Sequence, residues 1–158
     1  MTQLKNIKKN ELLKAYFMHW QGFMPTFLKY FDRINPIFTT PVKFCKSFQS
    51  QKLHMFWILC DDSYAGQIWI KDNGETAYLA RLFILSKYQN KGTAQTAIHL
   101  AEELFPNVNV WRLDTIKEED KNCHLYEKLG YIPFGTEKII NKRMTIIEYE
   151  KKVGDRNV

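Results

Sequence analysis

Three short apolar segments follow one another in the middle of the chain, and this succession restricts the fold more than any other feature. The segments cover residues 53–59, 64–70 and 76–85, and each is rich in aromatic and branched side chains. Polar turns separate them, and Asp72-Asn73-Gly74 is the strongest short hairpin signal in the chain. The sequence therefore predicts three consecutive antiparallel strands.

Helices and strands alternate after these segments. Residues 93–104 place small and apolar side chains on one stripe, which predicts a helix that ends before Pro106. A strand over 108–116 and a second helix over 118–129 follow, and Gly130 is placed as the cap of that helix. A final strand pair at 131–140 and 143–152 completes a mixed α/β layer structure.

The first third of the chain has a helical pattern. Apolar residues at 12, 13, 16, 17 and 20 follow the spacing of one helix face, and Gly22 and Pro25 interrupt it. We expect a second helix to run from Pro25 to about Arg33, and a third to begin at Thr40-Pro41. Ten aromatic residues lie in this third, and most of them are expected in the core.

Length and composition limit the class of protein. A chain of 158 residues, 45% of them hydrophobic, is expected to form one globular domain over 1–153, with a loose tail at 154–158. The longest apolar run, residues 55–60, is too short to cross a bilayer, and the N-terminus lacks the pattern of a secretory signal. Three scattered cysteines and four histidines form no disulfide framework and no zinc signature, so we expect a cytoplasmic protein without a metal.

The positive charge is concentrated in the first third. Residues 1–52 hold nine basic residues against Glu11 and Asp32, whereas the remainder is almost neutral. Such a segment is more often a solvated helix face than a binding surface. Nucleic-acid binding is a third hypothesis, disfavoured because this segment carries no recognised nucleic-acid motif.

The segment from Leu82 to Ala94 carries the chemistry. A strand ends near Leu85, a polar turn follows, and a helix opens near Gly92, where the first amides of the helix have no intrahelical partner. Those amides suit a diphosphate, with a charge from Lys91 and a hydroxyl from Thr93 beside them. Taken alone, the segment is equally consistent with a glycine that only eases a tight turn.

A second motif makes the segment specific. Residues 89–94, Gln-Asn-Lys-Gly-Thr-Ala, resemble the [Arg/Gln]-x-x-Gly-x-[Gly/Ala] acetyl-CoA signature of the GNAT superfamily of N-acetyltransferases. Residues 125–131, Leu-Tyr-Glu-Lys-Leu-Gly-Tyr, resemble the second hallmark of that superfamily. The resemblance is clear over 53–150. It implies a mostly antiparallel, splayed sheet of six to seven strands flanked by helices, with 1–52 as the helical substrate side and 53–153 as the CoA-binding core.

The resemblance also implies the binding residues. The pantetheine arm of acetyl-CoA is expected between the splayed strands, bonded by the backbone of Leu82, Phe83 and Ile84. Gln89 belongs to the motif, and the diphosphate is expected on Asn90, Lys91, Gly92, Thr93, Ala94 and Gln95. Many members carry a cofactor-binding asparagine where this chain has Glu119, so we transfer that contact to Asn122, one helical turn before Tyr126.

The catalytic residues are implied in the same way. Tyr126 matches the hydroxyl that protonates the departing CoA thiolate, although a packing tyrosine would fit the same position. Asp114 matches the catalytic carboxylate of some peptide-directed members, but a structural role is the leading interpretation there. The strand residues 78–82 contain no carboxylate, so the amine could instead lose its proton through a chain of waters.

The leading hypothesis is therefore direct transfer of an acetyl group from acetyl-CoA to a primary amine in a ternary complex. The alternative is an acyl-CoA-binding sensor or interaction module with the same fold and little turnover. The acceptor is expected to be a small molecule or a peptide amine, with no membrane partner; a basic entry surface would disfavour polycations. A homodimer formed through C-terminal edge strands stays open.

Overall fold

A computed structural model describes residues 1–154, and these form seven β-strands and four α-helices. Residues 155–158 of the predicted tail lie outside the described part, and Gly154 has no regular secondary structure. The elements in chain order are β1 Thr2–Asn6, α1 Leu12–Tyr30, α2 Pro41–Gln49, β2 Leu53–Cys60, β3 Ser63–Asp72, β4 Thr76–Ile84, α3 Thr93–Leu104, β5 Val110–Ile116, α4 Asp120–Lys128, β6 Ile132–Asn141 and β7 Met144–Lys152.

All seven strands belong to one sheet, in the order β1-β2-β3-β4-β5-β7-β6. Every neighbouring pair is antiparallel except β4 and β5, which are parallel. The predicted fold class, a mostly antiparallel sheet of six to seven strands flanked by helices, is confirmed. The hairpin at Asp72-Asn73-Gly74 is also confirmed, since the Gly74 amide donates to the Asp72 carboxylate at 2.8 Å and Gly74 has a φ of +88°.

Helices cover both faces of the sheet. On one face, Ala97, Ile98 and Ala101 of α3 and Tyr126 of α4 pack on the apolar residues of the central strands. On the other face, Ala15 of α1 and Phe44 of α2 form a second, smaller core with residues of β2 and β3. The cavity described below opens between these two layers, at the centre of the sheet. None of the helices within residues 1–154 is long and apolar enough to span a lipid bilayer.

The first third of the chain differs from the prediction in two elements. Residues Thr2–Asn6 form β1, which pairs with β2 from Thr2↔Cys60 to Asn6↔Phe56. We expected only helices before residue 53. Helix α1 also continues through Gly22 and Pro25, which we expected to break it. Gly22 lies against the ring of Phe83, where a Cβ would come within 2.2 Å, so packing on β4 requires this glycine. Pro25 is exposed on the helix surface.

The expected burial of the ten aromatic residues of this third holds only in part, since two are buried, four are partly buried and four are exposed. Tyr30 and Phe44 are buried, but Phe17 is 61% exposed. Trp20, Phe31 and Phe38 are also exposed, because α1 buries only the face that it turns to the sheet. The start of α2 is as predicted, since the Thr40 hydroxyl accepts the Lys43 amide at 3.3 Å and Pro41 occupies the first turn.

Candidate active site

The separation of β4 and β5 creates the cavity. The two strands pair only from Thr76↔Val110 to Tyr78↔Arg112 and then diverge. Alternate residues of a strand direct their backbone groups to the same side, so the edge of β4 that continues to Ile84 presents unpaired amides and carbonyls. A cavity of about 720 Å³ occupies this gap. The splayed arrangement implied by the resemblance is therefore present.

A bulge in β4 lies at the point of separation. Trp69 pairs with Arg81 and Ile70 pairs with Leu79, so Ala80 is the extra residue. A bulge bends its strand and increases the local twist, which accounts for the divergence of β4 from β5. On the other side of β4, Gly66 allows the close approach of β3, because a Cβ there would lie 2.0 Å from the Phe83 carbonyl oxygen.

The loop after β4 leads into the N-terminus of α3. Gln89 donates its side-chain amide to the Ile84 carbonyl at 2.7 Å, and Thr93 donates its hydroxyl to the Tyr88 carbonyl at 3.2 Å. Gly92 precedes the first residue of α3 with a φ of +75°, a conformation that favours glycine. The first amide with a helical hydrogen bond is that of Thr96, which donates to the Gly92 carbonyl at 3.0 Å. The amides of residues 93–95 therefore have no partner within the helix.

Nearly all of the predicted site residues line this one cavity. Lys91 is the exception: it is exposed and does not contact the cavity. The predicted residues that line it are Leu82, Phe83, Ile84, Gln89, Asn90, Gly92, Thr93, Ala94, Gln95, Asp114, Asn122 and Tyr126.

Tyr126 lies on α4 with its ring packed between Tyr131 and Tyr149, at centroid distances of 6.0 and 6.1 Å. The side chain is only 6% exposed, and within residues 1–154 its hydroxyl has no hydrogen-bond partner. Burial raises the pKa of this phenol well above its ordinary value. The side chain lines the cavity, and its hydroxyl is therefore protonated at neutral pH.

Asp114 lies on β5 and is exposed to the cavity. Its carboxylate accepts a hydrogen bond from the hydroxyl of Tyr78 on β4. Burial, together with this hydrogen bond, raises the pKa of Tyr78 above its ordinary range, so Tyr78 remains a neutral donor. The two side chains join the strands just before they separate.

Glu119 lies at the start of α4 and holds α1 in place. Its Oε1 accepts bonds from Lys29 Nζ and from the Tyr30 hydroxyl, both at 2.6 Å. Burial acts to raise the pKa of Glu119, but these two hydrogen bonds outweigh it and hold the pKa below its ordinary value. Asn122, one turn into α4, is exposed and lines the cavity.

Cys123 does not contact the cavity, although it is on the same helix. Its thiol lies 3.7 Å from the Lys117 carbonyl and 3.8 Å from the Ile116 carbonyl. Burial raises the pKa of this thiol, which keeps it protonated. The arrangement suits a packing residue rather than a nucleophile.

Sequence reasoning missed the residues on the α1 side of the cavity, by which we mean Phe23, Thr26, Lys29, Asp32, Asn35 and Arg81. Asp32 is 1% exposed and accepts from the Asn35 side-chain amide at 3.0 Å. Arg81 interrupts the apolar sequence of β4, and that charge within a strand was the available signal. For the loop residues Asp32 and Asn35, the sequence offered no comparable signal.

Within residues 1–154, no group of three or more His, Cys, Asp or Glu side chains is placed to hold a metal ion. The chemistry available to the cavity is that of its own amides, phenols, carboxylates and guanidinium. Proton transfer and hydrogen bonding are thus the functions that these residues can supply.

Solved structures of similar shape are N-acetyltransferases. PaiA N-acetyltransferase from Thermoplasma acidophilum, in complex with coenzyme A, has a TM-score of 0.75 and 17% identity, and the match covers 97% of this chain and 99% of that one. Spermidine N-acetyltransferase from Vibrio cholerae, in complex with CoA and spermine, has a TM-score of 0.75 and 17% identity over 96% and 95%. The ribosomal-protein-S18-alanine N-acetyltransferase from Escherichia coli has a TM-score of 0.74 and 18% identity over 100% and 99%.

The sequence itself gives the family. No curated protein sequence matches this chain. A model of the Acetyltransferase (GNAT) family matches residues 15–131, which is well over half of the chain and includes both motifs and the cavity between them. The protein therefore belongs to the GNAT acetyltransferase family.

Proposed function

We propose that this protein transfers an acetyl group from acetyl-CoA to a primary amine by direct attack in a ternary complex. One observation carries the proposal: the free amides at the start of α3 and the side chain of Tyr126 line the same cavity, between strands that have separated. An anion-binding site and a proton donor are the two groups that transfer from a CoA thioester requires.

The lining of the cavity offers a group for each part of acetyl-CoA. The amides of residues 93–95 and the positive end of the α3 dipole would hold the diphosphate. The unpaired edge of β4 over Leu82–Ile84 would bond the pantetheine amides as an added strand would. The volume of about 720 Å³ lies within the usual range for small-molecule sites. Bound acetyl-CoA supplies an activated acetyl group.

Two side chains would move the protons. When the amine attacks the carbonyl carbon, the C–N bond forms and the C–S bond breaks, which leaves a thiolate that needs a proton. Tyr126 would donate that proton, since its phenol is protonated and its side chain lines the cavity. Asp114, or water held beside it, would accept the proton that the amine loses.

The acceptor would enter on the α1 side. Lys29 and Glu119 form an ion pair at 2.6 Å there, so the positive charge of Lys29 is largely neutralised at the entrance. The solved relatives are named for polyamine and ribosomal-protein acceptors, but at less than 20% identity they support the fold rather than the acceptor. The proposed acceptor class is therefore a primary amine.

Calorimetry with acetyl-CoA, followed by CoA release from a panel of amines, tests the proposal. We expect saturable binding of acetyl-CoA, thermal stabilisation by it, and turnover with at least one amine. Double-reciprocal plots at several amine concentrations should intersect, as a ternary complex requires. Absence of both binding and thermal stabilisation would overturn the proposal. Binding without turnover on any amine would favour the sensor instead.

A further inference from the structure

Arg81 is a half-buried cation on the α1 side of the cavity, and no step of the proposed reaction uses it. It follows the bulge residue Ala80 on β4 and lines the cavity. Its Nη1 donates to the Ala80 carbonyl at 2.8 Å, while its buried Nε has no hydrogen-bond partner. Within residues 1–154, no carboxylate lies within ion-pair distance of the guanidinium.

Each of the nearby carboxylates accepts a hydrogen bond from another side chain, although the buried Oδ1 of Asp32 has no partner. Glu119 accepts from Lys29 and Tyr30, Asp114 accepts from Tyr78, and Asp32 accepts from Asn35. A buried guanidinium without an anion or a full set of acceptors is costly, because its desolvation is not offset. Burial accordingly lowers the pKa of Arg81. The guanidinium of Arg81 thus has N–H groups for which the protein supplies no acceptor.

The strand register places Arg81 and the Tyr78–Asp114 pair on the same face of the sheet. Arg81 pairs with Trp69 and Tyr78 pairs with Lys71, and these partners are two residues apart on β3. Residues two positions apart on a strand lie on the same face of the sheet and are separated by about 7 Å. A cation and an anion therefore line the same side of the cavity at a short separation.

We propose that Arg81 binds a carboxylate of the acceptor, and that the acceptor is an α-amino acid whose amine lies toward Asp114. The planar fork of a guanidinium matches a carboxylate with two parallel hydrogen bonds, which fixes orientation as well as affinity. This inference rests on the proposed function and names its substrate class. A polyamine is excluded as the preferred acceptor, since it would bring a second positive charge to Arg81.

The experiment compares each amino acid with the amine that lacks only its carboxylate, such as phenylalanine with phenethylamine and leucine with 3-methylbutylamine. CoA release by the full chain gives kcat and KM for every pair. In the pair with the highest turnover, we expect kcat/KM to be at least about tenfold higher for the amino acid than for the amine. A site built to hydrogen-bond a group rejects the analogue that lacks the group.

Arg81→Gln should remove this preference. We expect KM for the amino acid to rise about tenfold or more, so that the ratio of kcat/KM for the amino acid to kcat/KM for the matching amine falls to near one. Arg33→Gln is the matched control, since Arg33 is exposed and does not line the cavity. Arg81→Lys provides a second variant if the glutamine variant does not fold, and it should lose most of the preference because it lacks the fork.

Two results would overturn the inference while leaving the proposed function in place. One is a wild-type preference for amines without a carboxylate. The other is an equal loss of kcat for both members of a pair in Arg81→Gln, which would assign the guanidinium to charge stabilisation at the thioester. Failure of the proposed function would look different, because neither acetyl-CoA binding nor turnover with any amine would then be observed.

Discussion

Tyr78 donates its phenolic hydrogen to the carboxylate of Asp114 at the place where β4 and β5 separate. Tyr78 is the last residue of β4 that pairs with β5, and Asp114 lies two residues beyond its partner Arg112 on β5. The hydrogen bond fixes the orientation of the one carboxylate that β5 presents to the α1 side of the cavity. Asp114 is therefore held in position without an ion-pair partner among residues 1–154, which is a suitable arrangement for a group that meets an incoming amine.

Asp114→Asn should lower kcat/KM for the best amine by roughly 10- to 100-fold, because the group that receives the proton of the amine would be lost. The affinity for acetyl-CoA should not change, since the predicted cofactor contacts lie on β4, α3 and α4. Tyr78→Phe removes one hydrogen bond to this carboxylate but leaves the carboxylate itself, so a smaller loss of about fivefold is expected. Steady-state kinetics and calorimetry provide both measurements. Wild-type kinetics in Asp114→Asn would assign the proton transfer to water.

Tyr126→Phe should reduce kcat by about 100-fold or more while acetyl-CoA binds as tightly as before. The expectation follows from the place of Tyr126, which lines the cavity, and from its hydroxyl, which has no hydrogen-bond partner within residues 1–154 and keeps its proton at neutral pH because burial raises its pKa. Tyr16→Phe is the matched control, since Tyr16 packs in the smaller core and does not line the cavity. A turnover number in Tyr126→Phe equal to that of the control would make Tyr126 a packing residue.

Gly92→Ala separates backbone strain from ligand binding. Gly92 and Gly74 both have a positive φ, +75° and +88°, and a Cβ at either position would meet no atom within 4 Å. Each substitution should therefore cost about 1 kcal/mol of stability by thermal unfolding. Only Gly92→Ala should weaken acetyl-CoA binding, because Gly74 lies in the β3–β4 turn, away from the cavity. Equal calorimetric affinities in the two variants would remove the start of α3 from the binding site.

The parts of the fold and of the site that were predictable from sequence are local in the chain. The turn at Asp72-Asn73-Gly74 and the loop before Gly92 depend on φ angles and hydrogen bonds among residues a few positions apart. Such patterns survive in a single sequence because the same residues that form the turn also specify it. The grouping of Tyr126 with the α3 amides was predictable only through the two family motifs.

The parts that were not predictable depend on distant partners. Strand β1 has only five residues, and its pairing with β2 joins positions at least 50 residues apart. Gly22 interrupts the helical pattern in the sequence, yet it is required because Phe83, on β4, packs directly against it. Arg81 was visible only as a charge within a strand, and its place beside the cavity follows from the bulge at Ala80.

His19 should make the protein less stable in mild acid. It is 1% exposed, stacked on Trp69 at a centroid distance of 4.9 Å, and its Nε2 has no hydrogen-bond partner. Burial, with a smaller contribution from the charge of Arg81, lowers the pKa of His19 to about 3. The unfolded chain has a histidine pKa of about 6.5, so it binds a proton between these values that the folded chain does not. The stability contributed by neutral His19 is complete above pH 6.5 and is lost progressively toward pH 3.

Urea unfolding at pH 7.5 and pH 5.5 measures this effect. His19 alone should lower the free energy of unfolding by about 1.4 kcal/mol between these two values, since one full pH unit lies below the pKa of the unfolded state. His19→Phe should lose that share of the pH dependence, whereas the same substitution at the exposed His124 should retain it. The comparison between variants cancels the contribution of every other titrating group. An equal pH dependence in wild type and His19→Phe would mean that His19 is protonated in the folded protein, with Nε2 hydrated rather than enclosed by Trp69 and Phe44.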